Sequence, residues 1–112
     1  MSQITTHILD TSKGKPASGV SVQLYKNTNA GWDSIAEGTT NEDGRIPGLL
    51  DTSVTLQPGF YKLHFDTGSY FTNQHTKGFY PYVEIVFEIT SNHHYHVPLL
   101  LNPFGYSTYR GS

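Results

Sequence analysis

The stretch YHVPLLLNPFGYSTYRGS, residues 95–112, decides the fold. It reads as two adjacent β-strands joined by a tight corner at Asn102-Pro103-Phe104-Gly105. A chain end is the least ordered part of most domains unless it is tied into a sheet. The apolar residues here argue that it is tied in. Successive side chains in a strand point to opposite faces. His94, His96, Pro98 and Leu100 therefore share one face, and Val97, Leu99 and Leu101 share the other. Both faces carry apolar groups, so both need cover. The domain's own core covers one of them, and a second subunit is the economical cover for the other. Pro98 removes a ladder donor and belongs at an edge or a bulge, so a local irregularity is expected at that point.

The start of the chain repeats this two-sidedness. Ile4, Thr6 and Ile8 alternate with Thr5, His7 and Leu9, which places His7 on an outer face comparable to that of His96. Residues 11–19 form a turn-rich connection. Val20, Val22 and Leu24 mark a second strand, with Ser21, Gln23 and Tyr25 outward, and a third runs from Trp32 to Gly38. Asn41-Glu42-Asp43-Gly44 is a turn signal in which Gly44 is free to take positive φ. Arg45 and Ile46 follow as a short fourth strand, cut off by Pro47-Gly48. Tyr61, Leu63 and Phe65 line one face of a fifth strand. The segment from Gly68 to Gly78 lacks alternation and reads as a short helix of about two turns. From Tyr82 to Ile89 the alternation returns, with Val83, Ile85, Phe87 and Ile89 inward and Glu84 and Glu88 outward. The total is about eight short strands with turns every ~8–12 residues, the pattern of an all-β sandwich.

Composition agrees with a sandwich. Aromatic residues make up 13% of the 112 residues, with Gly 11 and Pro 6, which favours short strands over helices. The length suits a single domain spanning residues 1–112. With a formal charge of −2 and 14% charged residues, no basic stripe is available to neutralise phosphates, which argues against nucleic acid as a partner. Cysteine is absent, so disulfide and thiolate chemistry are excluded. The longest apolar run, Val97 to Leu101, is far too short to span a bilayer. The opening MSQITTH enters strand alternation without a leader pattern, so a cytoplasmic location is expected; a periplasmic form with its leader removed would read the same way.

Several residues could carry chemistry. His7 taken alone is an ordinary strand histidine, and Arg45 taken alone is a solvated turn cation. His94 and His96, on one strand face, could chelate zinc with a third ligand, or form a polar strand end in which one histidine matters. No Asp or Glu at an obvious spacing joins them. Glu84 and Glu88 are too far apart to share a proton and read as an exposed face. Ser107 lacks the Gly-x-Ser-x-Gly elbow of a nucleophile and suits a hydrogen-bonding group in a pocket.

Together these motifs resemble those of the 5-hydroxyisourate hydrolases, the transthyretin-related family of urate breakdown. The resemblance is carried by Thr6-His7-Ile8-Leu9-Asp10, by Glu42-Asp43-Gly44-Arg45, by the YHVPLLL run at 95–101 and by the closing Tyr109-Arg110-Gly111-Ser112. Lys15-Pro16-Ala17 and Tyr106-Ser107-Thr108 also fit, so it extends nearly end to end. It implies a transthyretin-like β-sandwich of two four-stranded sheets with one short helix. It implies a homotetramer, a dimer of dimers with active sites in a channel between subunits. It also implies hydrolysis of 5-hydroxyisourate in purine catabolism, with no metal and no cofactor. His7, Arg45 and His96 fall on the family's catalytic positions. Tyr109, Arg110, Gly111 and Ser112 fall on its terminal tetrapeptide, and Ser107 shares the face of Tyr109 by parity. Substrate contact is expected from His7, Arg45, Ser107, Tyr109, Arg110 and Ser112. The rival reading is a carrier that holds a small aromatic ligand in the same channel. Such a channel has no need of two histidines and an arginine beside a terminal Tyr-Arg-Gly-Ser.

Overall fold

The computed structural model describes residues 2–112. Its strands are β1 (Ile4–Asp10), β2 (Lys15–Pro16), β3 (Ser21–Thr28), β4 (Gly31–Thr39), β5 (Gly59–Phe65), β6 (Val83–Ile89), β7 (Tyr95–Asn102) and β8 (Gly105–Thr108), with helix α1 (Thr67–Thr72) after β5. They form two four-stranded sheets, ordered β2-β1-β7-β8 and β4-β3-β5-β6. The alternating pattern sets the inner faces. Ile4, Ile8, Val97, Leu99 and Leu101 from the first sheet meet Val22, Leu24, Tyr61, Leu63, Phe65, Val83 and Ile89 from the second, and all are buried. Burying side chains of this size contributes roughly 1.5–3 kcal/mol each, the term that holds the two layers together.

The first sheet joins the two ends of the chain. β1 and β7 pair in parallel, with Thr5 opposite His96 and His7 opposite Pro98. A parallel pair needs a long crossover, and here the whole second sheet supplies it. α1 sits at the end of β5, where the Asp66 carboxylate accepts from the Ser69 N–H at 3.2 Å, the usual N-cap bond. The helix buries Tyr70 and Phe71. Tyr70 donates its hydroxyl to the fully buried Asp10 at 2.7 Å, which ties the helix to the end of β1.

Pro98 has a clear account. The Tyr95 N–H donates to the Gln3 carbonyl at 2.8 Å, so the odd amides of β7 turn toward β1 and the even ones toward β8. The donor that Pro98 lacks therefore belongs to the β8 side. There the β7–β8 ladder stops at Leu99 opposite Thr108. The chain then skips two positions and rejoins β7, in unchanged register, at a single His96–Gly111 bridge. The irregularity expected at Pro98 is this opening in the ladder.

Two elements differ from the sequence reading. Arg45 and Ile46 form no strand, and Arg45 makes one isolated bridge to His7. Lys15–Pro16, within the turn-rich connection, instead forms a two-residue strand against Leu9 and Asp10. Elements this short are decided by what lies next to them, because two residues carry no periodicity. No helix among the described residues is long and apolar enough to cross a membrane.

Candidate active site

The outer face of the first sheet holds the reactive groups. The 41–45 turn delivers Arg45 to it. The Asn41 side-chain oxygen accepts from the N–H groups of Asp43 at 2.9 Å and Arg45 at 3.1 Å, an Asx-type turn. Gly44 closes this turn with φ +72°, and its carbonyl accepts from the Ile8 N–H at 2.9 Å. A side chain at Gly44 would come within 2.4 Å of the Ile8 carbonyl oxygen. The turn can lie against β1 because that side chain is missing, and Arg45 is thereby bridged to His7. Its guanidinium belongs to an exposed residue and pairs with no carboxylate among the described residues.

β1 and β7 supply the imidazoles. His7, His94 and His96 are half-buried and stand on the same face. The terminal segment closes over them. The Gly111 N–H donates to the His96 carbonyl at 2.9 Å, and a side chain at Gly111 would strike His96 Cδ2 at 2.5 Å. His7, Arg45 and His96 line one open cavity of about 670 Å³ together with Tyr109, Arg110, Gly111 and Ser112. Tyr109 remains exposed at 59%. Ser107 lies outside this lining, opposite Leu100 on the same strand face.

The charges of the site are arranged against protonation of its histidines. Burial pushes His96 below the ordinary imidazole range, and Arg45, His94 and His7 push it further, while the Thr5 backbone carbonyl opposes them. His7 is lowered by burial and by Arg45, against an opposing contribution from the Asp43 carbonyl. An imidazole titrating below 6.5 is neutral at neutral pH and can accept a proton.

Arg110 is placed differently from its neighbours. It lies past the end of β8. Its guanidinium carbon sits 4.3 Å from the centre of the Tyr95 ring, a cation–π arrangement. Tyr95 is itself pinned. Its hydroxyl oxygen accepts from the N–H groups of Thr90 at 3.0 Å and Ser91 at 3.2 Å, with the Ser91 hydroxyl at 3.0 Å. Those bonds, the Ser91 hydroxyl first, bring its pKa down to about 8. Arg110 thus fastens the tail over Tyr95 while it also lines the cavity with its neighbours.

Sequence reasoning missed Thr5 and gave His94 only a metal role. Both line the cavity. The Thr5 hydroxyl lies 2.7 Å from Nε2 of His94 and 2.7 Å from Nδ1 of His96. The parity that singled out His7 also places Thr5 on its face, which was the available signal. Among the described residues no third metal-capable side chain joins His94 and His96 in a group that could hold an ion.

The fold and this basic, histidine-rich outer face together define a transthyretin-like sandwich with a polar site. The model of the HIUase/Transthyretin family matches residues 4–111, and the chain belongs to that family. It is 48% identical to 5-hydroxyisourate hydrolase of Mus musculus, across 99% of this chain and 96% of that protein. Among solved structures, the 5-hydroxyisourate hydrolase of Klebsiella pneumoniae superposes with TM-score 0.85 at 38% identity, covering 97% of this chain and 98% of that one. Sea bream transthyretin, solved with thyroxine, superposes with TM-score 0.91 at 35% identity, covering 98% and 95%. The sea bream transthyretin overlays more closely, yet the mouse hydrolase is closer in sequence. Overlay reports the shared scaffold, and function follows from the site built on it.

Proposed function

We propose that this protein is an enzyme that hydrolyses 5-hydroxyisourate to 2-oxo-4-hydroxy-4-carboxy-5-ureidoimidazoline in urate breakdown. One observation carries the reading: two histidines held neutral by burial and by Arg45 stand in one cavity with that arginine. Water adds to the C6 carbonyl carbon, its proton passes to an imidazole, and the N1–C6 bond then breaks with a proton returned to N1. His96 and His7 share the proton transfers, one as base and the other as its partner on the leaving nitrogen. Arg45 directs its fork of donors at the carbonyl oxygen, where negative charge grows in the transition state. Tyr109 and Ser112 contact the flat ring, and Ser107 contacts it across the completed channel. A small-molecule carrier has no use for this electrostatic arrangement, and the hydrolase names of the relatives support the enzyme reading.

The same reading includes a homotetramer, a dimer of dimers. Leu9 and Leu100 are paired on the outer face and half-exposed, and Tyr109 projects from it. A second subunit would cover them and narrow the open cavity into a channel. The kinship with transthyretins supports this assembly.

The test is direct. Urate freshly oxidised by urate oxidase is mixed with the protein, and loss of the hydroxyisourate absorbance is followed against its spontaneous decay. Acceleration is expected, and an unchanged decay rate removes the proposal.

A further inference from the structure

The Thr5 hydroxyl has one hydrogen to donate, yet it stands 2.7 Å from each of two imidazole nitrogens, Nε2 of His94 and Nδ1 of His96. It can serve one bare nitrogen and no more. At least one of the two nitrogens must therefore carry a hydrogen and donate it to the Thr5 oxygen. Which nitrogen does so decides whether His96 can act as a base. If Thr5 donates to His96, the hydrogen of that neutral ring sits on Nε2, and Nε2 has no lone pair to offer. If His96 donates from Nδ1, its Nε2 is free.

Only the second arrangement leaves His96 with a bare Nε2, which the proposed hydrolysis needs in a base whose Nδ1 is already engaged by Thr5. The ring is held in place. Gly111 lies against its Cδ2 edge, where a side chain would come to 2.5 Å, and His94 stacks beside it at 6.2 Å between centroids and 24° between planes. Nε2 makes no hydrogen bond to the described residues. The groups facing His96 are Arg45, His94 and His7, all of which oppose a positive charge on it, and no carboxylate acts on it.

We infer that Thr5 is a positioning residue: its hydroxyl accepts the Nδ1–H of His96, donates its own hydrogen to Nε2 of His94, and so leaves Nε2 of His96 as the base of the reaction. This rests on the proposed hydrolysis and assigns within it the role that a carboxylate fills in a serine-protease triad, orienting the ring and fixing its tautomer. When water gives its proton to Nε2, the ring becomes an imidazolium. The Nδ1–H bond to Thr5 then becomes charge-assisted and stronger, which offsets part of the repulsion from Arg45. The Thr5→His94 link holds the hydroxyl hydrogen away from His96 throughout.

Histidine ¹⁵N shifts, recorded at a pH where the site histidines are neutral, test the assignment in the unaltered protein. His96 is expected to carry hydrogen on Nδ1 and none on Nε2; hydrogen on Nε2 overturns the inference. Thr5→Val removes the hydroxyl and keeps the branched shape. It should mix the His96 tautomers and lower kcat roughly ten- to a hundredfold, the usual cost of losing a group that orients a working histidine, with little change in KM. Thr5→Ser should restore both. Unchanged kcat and tautomer in Thr5→Val overturn the role. The two readings can fail separately. A wild type with hydrogen on Nδ1 that does not speed hydroxyisourate loss sustains the tautomer and removes the hydrolase. An active wild type with hydrogen on Nε2 removes the role of Thr5 alone.

Discussion

The two sheets present opposite solutions to the same problem on their outer faces. On the second sheet, Glu84 accepts from His64 at 2.9 Å and pairs with Lys62 at 3.3 Å. Lys62 also lies over the rings of Trp32, at 4.7 Å, and Tyr25, at 5.2 Å. Every charge in that cluster has a partner, and the bond from His64 leads in holding the Glu84 carboxyl below its usual range. On the first sheet His96 faces Arg45, His94 and His7 with no carboxylate to balance them, and at His7 Asp43 opposes burial and Arg45 without outweighing them. The first arrangement settles a surface. The second keeps imidazoles neutral and a cation unpaired, which destabilises the apo site but suits a ligand that gathers negative charge. Perturbed groups gathered in a cavity mark a functional site for this physical reason.

The sharpest way to break the comparison is to remove the unbalanced groups. His96→Asn or His7→Asn should lower kcat by roughly two to four orders of magnitude, the range of general acid–base contributions. Near-normal turnover in both variants would show that the first face is no more reactive than the second. The pH profile sharpens the point. Both imidazoles are lowered, so the lone pair is present at neutral pH and is lost as pH falls through the folded pKa. The acid limb of kcat/KM should therefore lie below 6.5, the unperturbed value. Arg45→Gln removes one of the causes of both shifts and should move that limb upward in a single-turnover profile. A limb that stays in place means Arg45 does not set it.

Smaller effects probe the supports. Arg110→Ala deletes the guanidinium over Tyr95, a contact contributing about 0.5–1 kcal/mol at an exposed site. It should speed hydrogen exchange at the Gly111 amide and reduce kcat/KM a few-fold. Loss as large as that of His96→Asn would instead place Arg110 on the substrate. Least of all, Glu84→Gln on the settled face should change stability by less than about 1 kcal/mol and leave kcat unchanged. A Glu84→Gln protein with impaired turnover would show that the two faces are coupled.

Much of this was legible in the chain. Period-two alternation marked β1, β3, β5, β6 and β7, because each of these strands buries one row of side chains and period two is the pattern that does so. Lys15–Pro16 and Arg45 escaped this reading, since a two-residue strand and a single bridge depend wholly on their neighbours. In the site, His7, Arg45 and His96 stood out by residue type and motif. Thr5 did not, since a threonine in a strand looks like ordinary β-propensity. Its importance comes from the β1–β7 register, which sets it opposite His96. The packing of Arg110 on Tyr95 had no signal in the sequence, since it depends on where the tail recrosses β7.

The sequence by itself determined the sandwich, the two-sided strands at the chain ends and the residue types available for chemistry. These follow from local alternation, turn residues and motif. Only the tertiary structure decided that residues 5, 7, 45, 94, 96 and 109–112 share one cavity. It alone showed that Pro98 opens the ladder where the tail crosses, and that burial, seconded by Arg45, lowers both histidines. Those outcomes depend on strand register and on through-space charge, which join residues up to a full chain length apart.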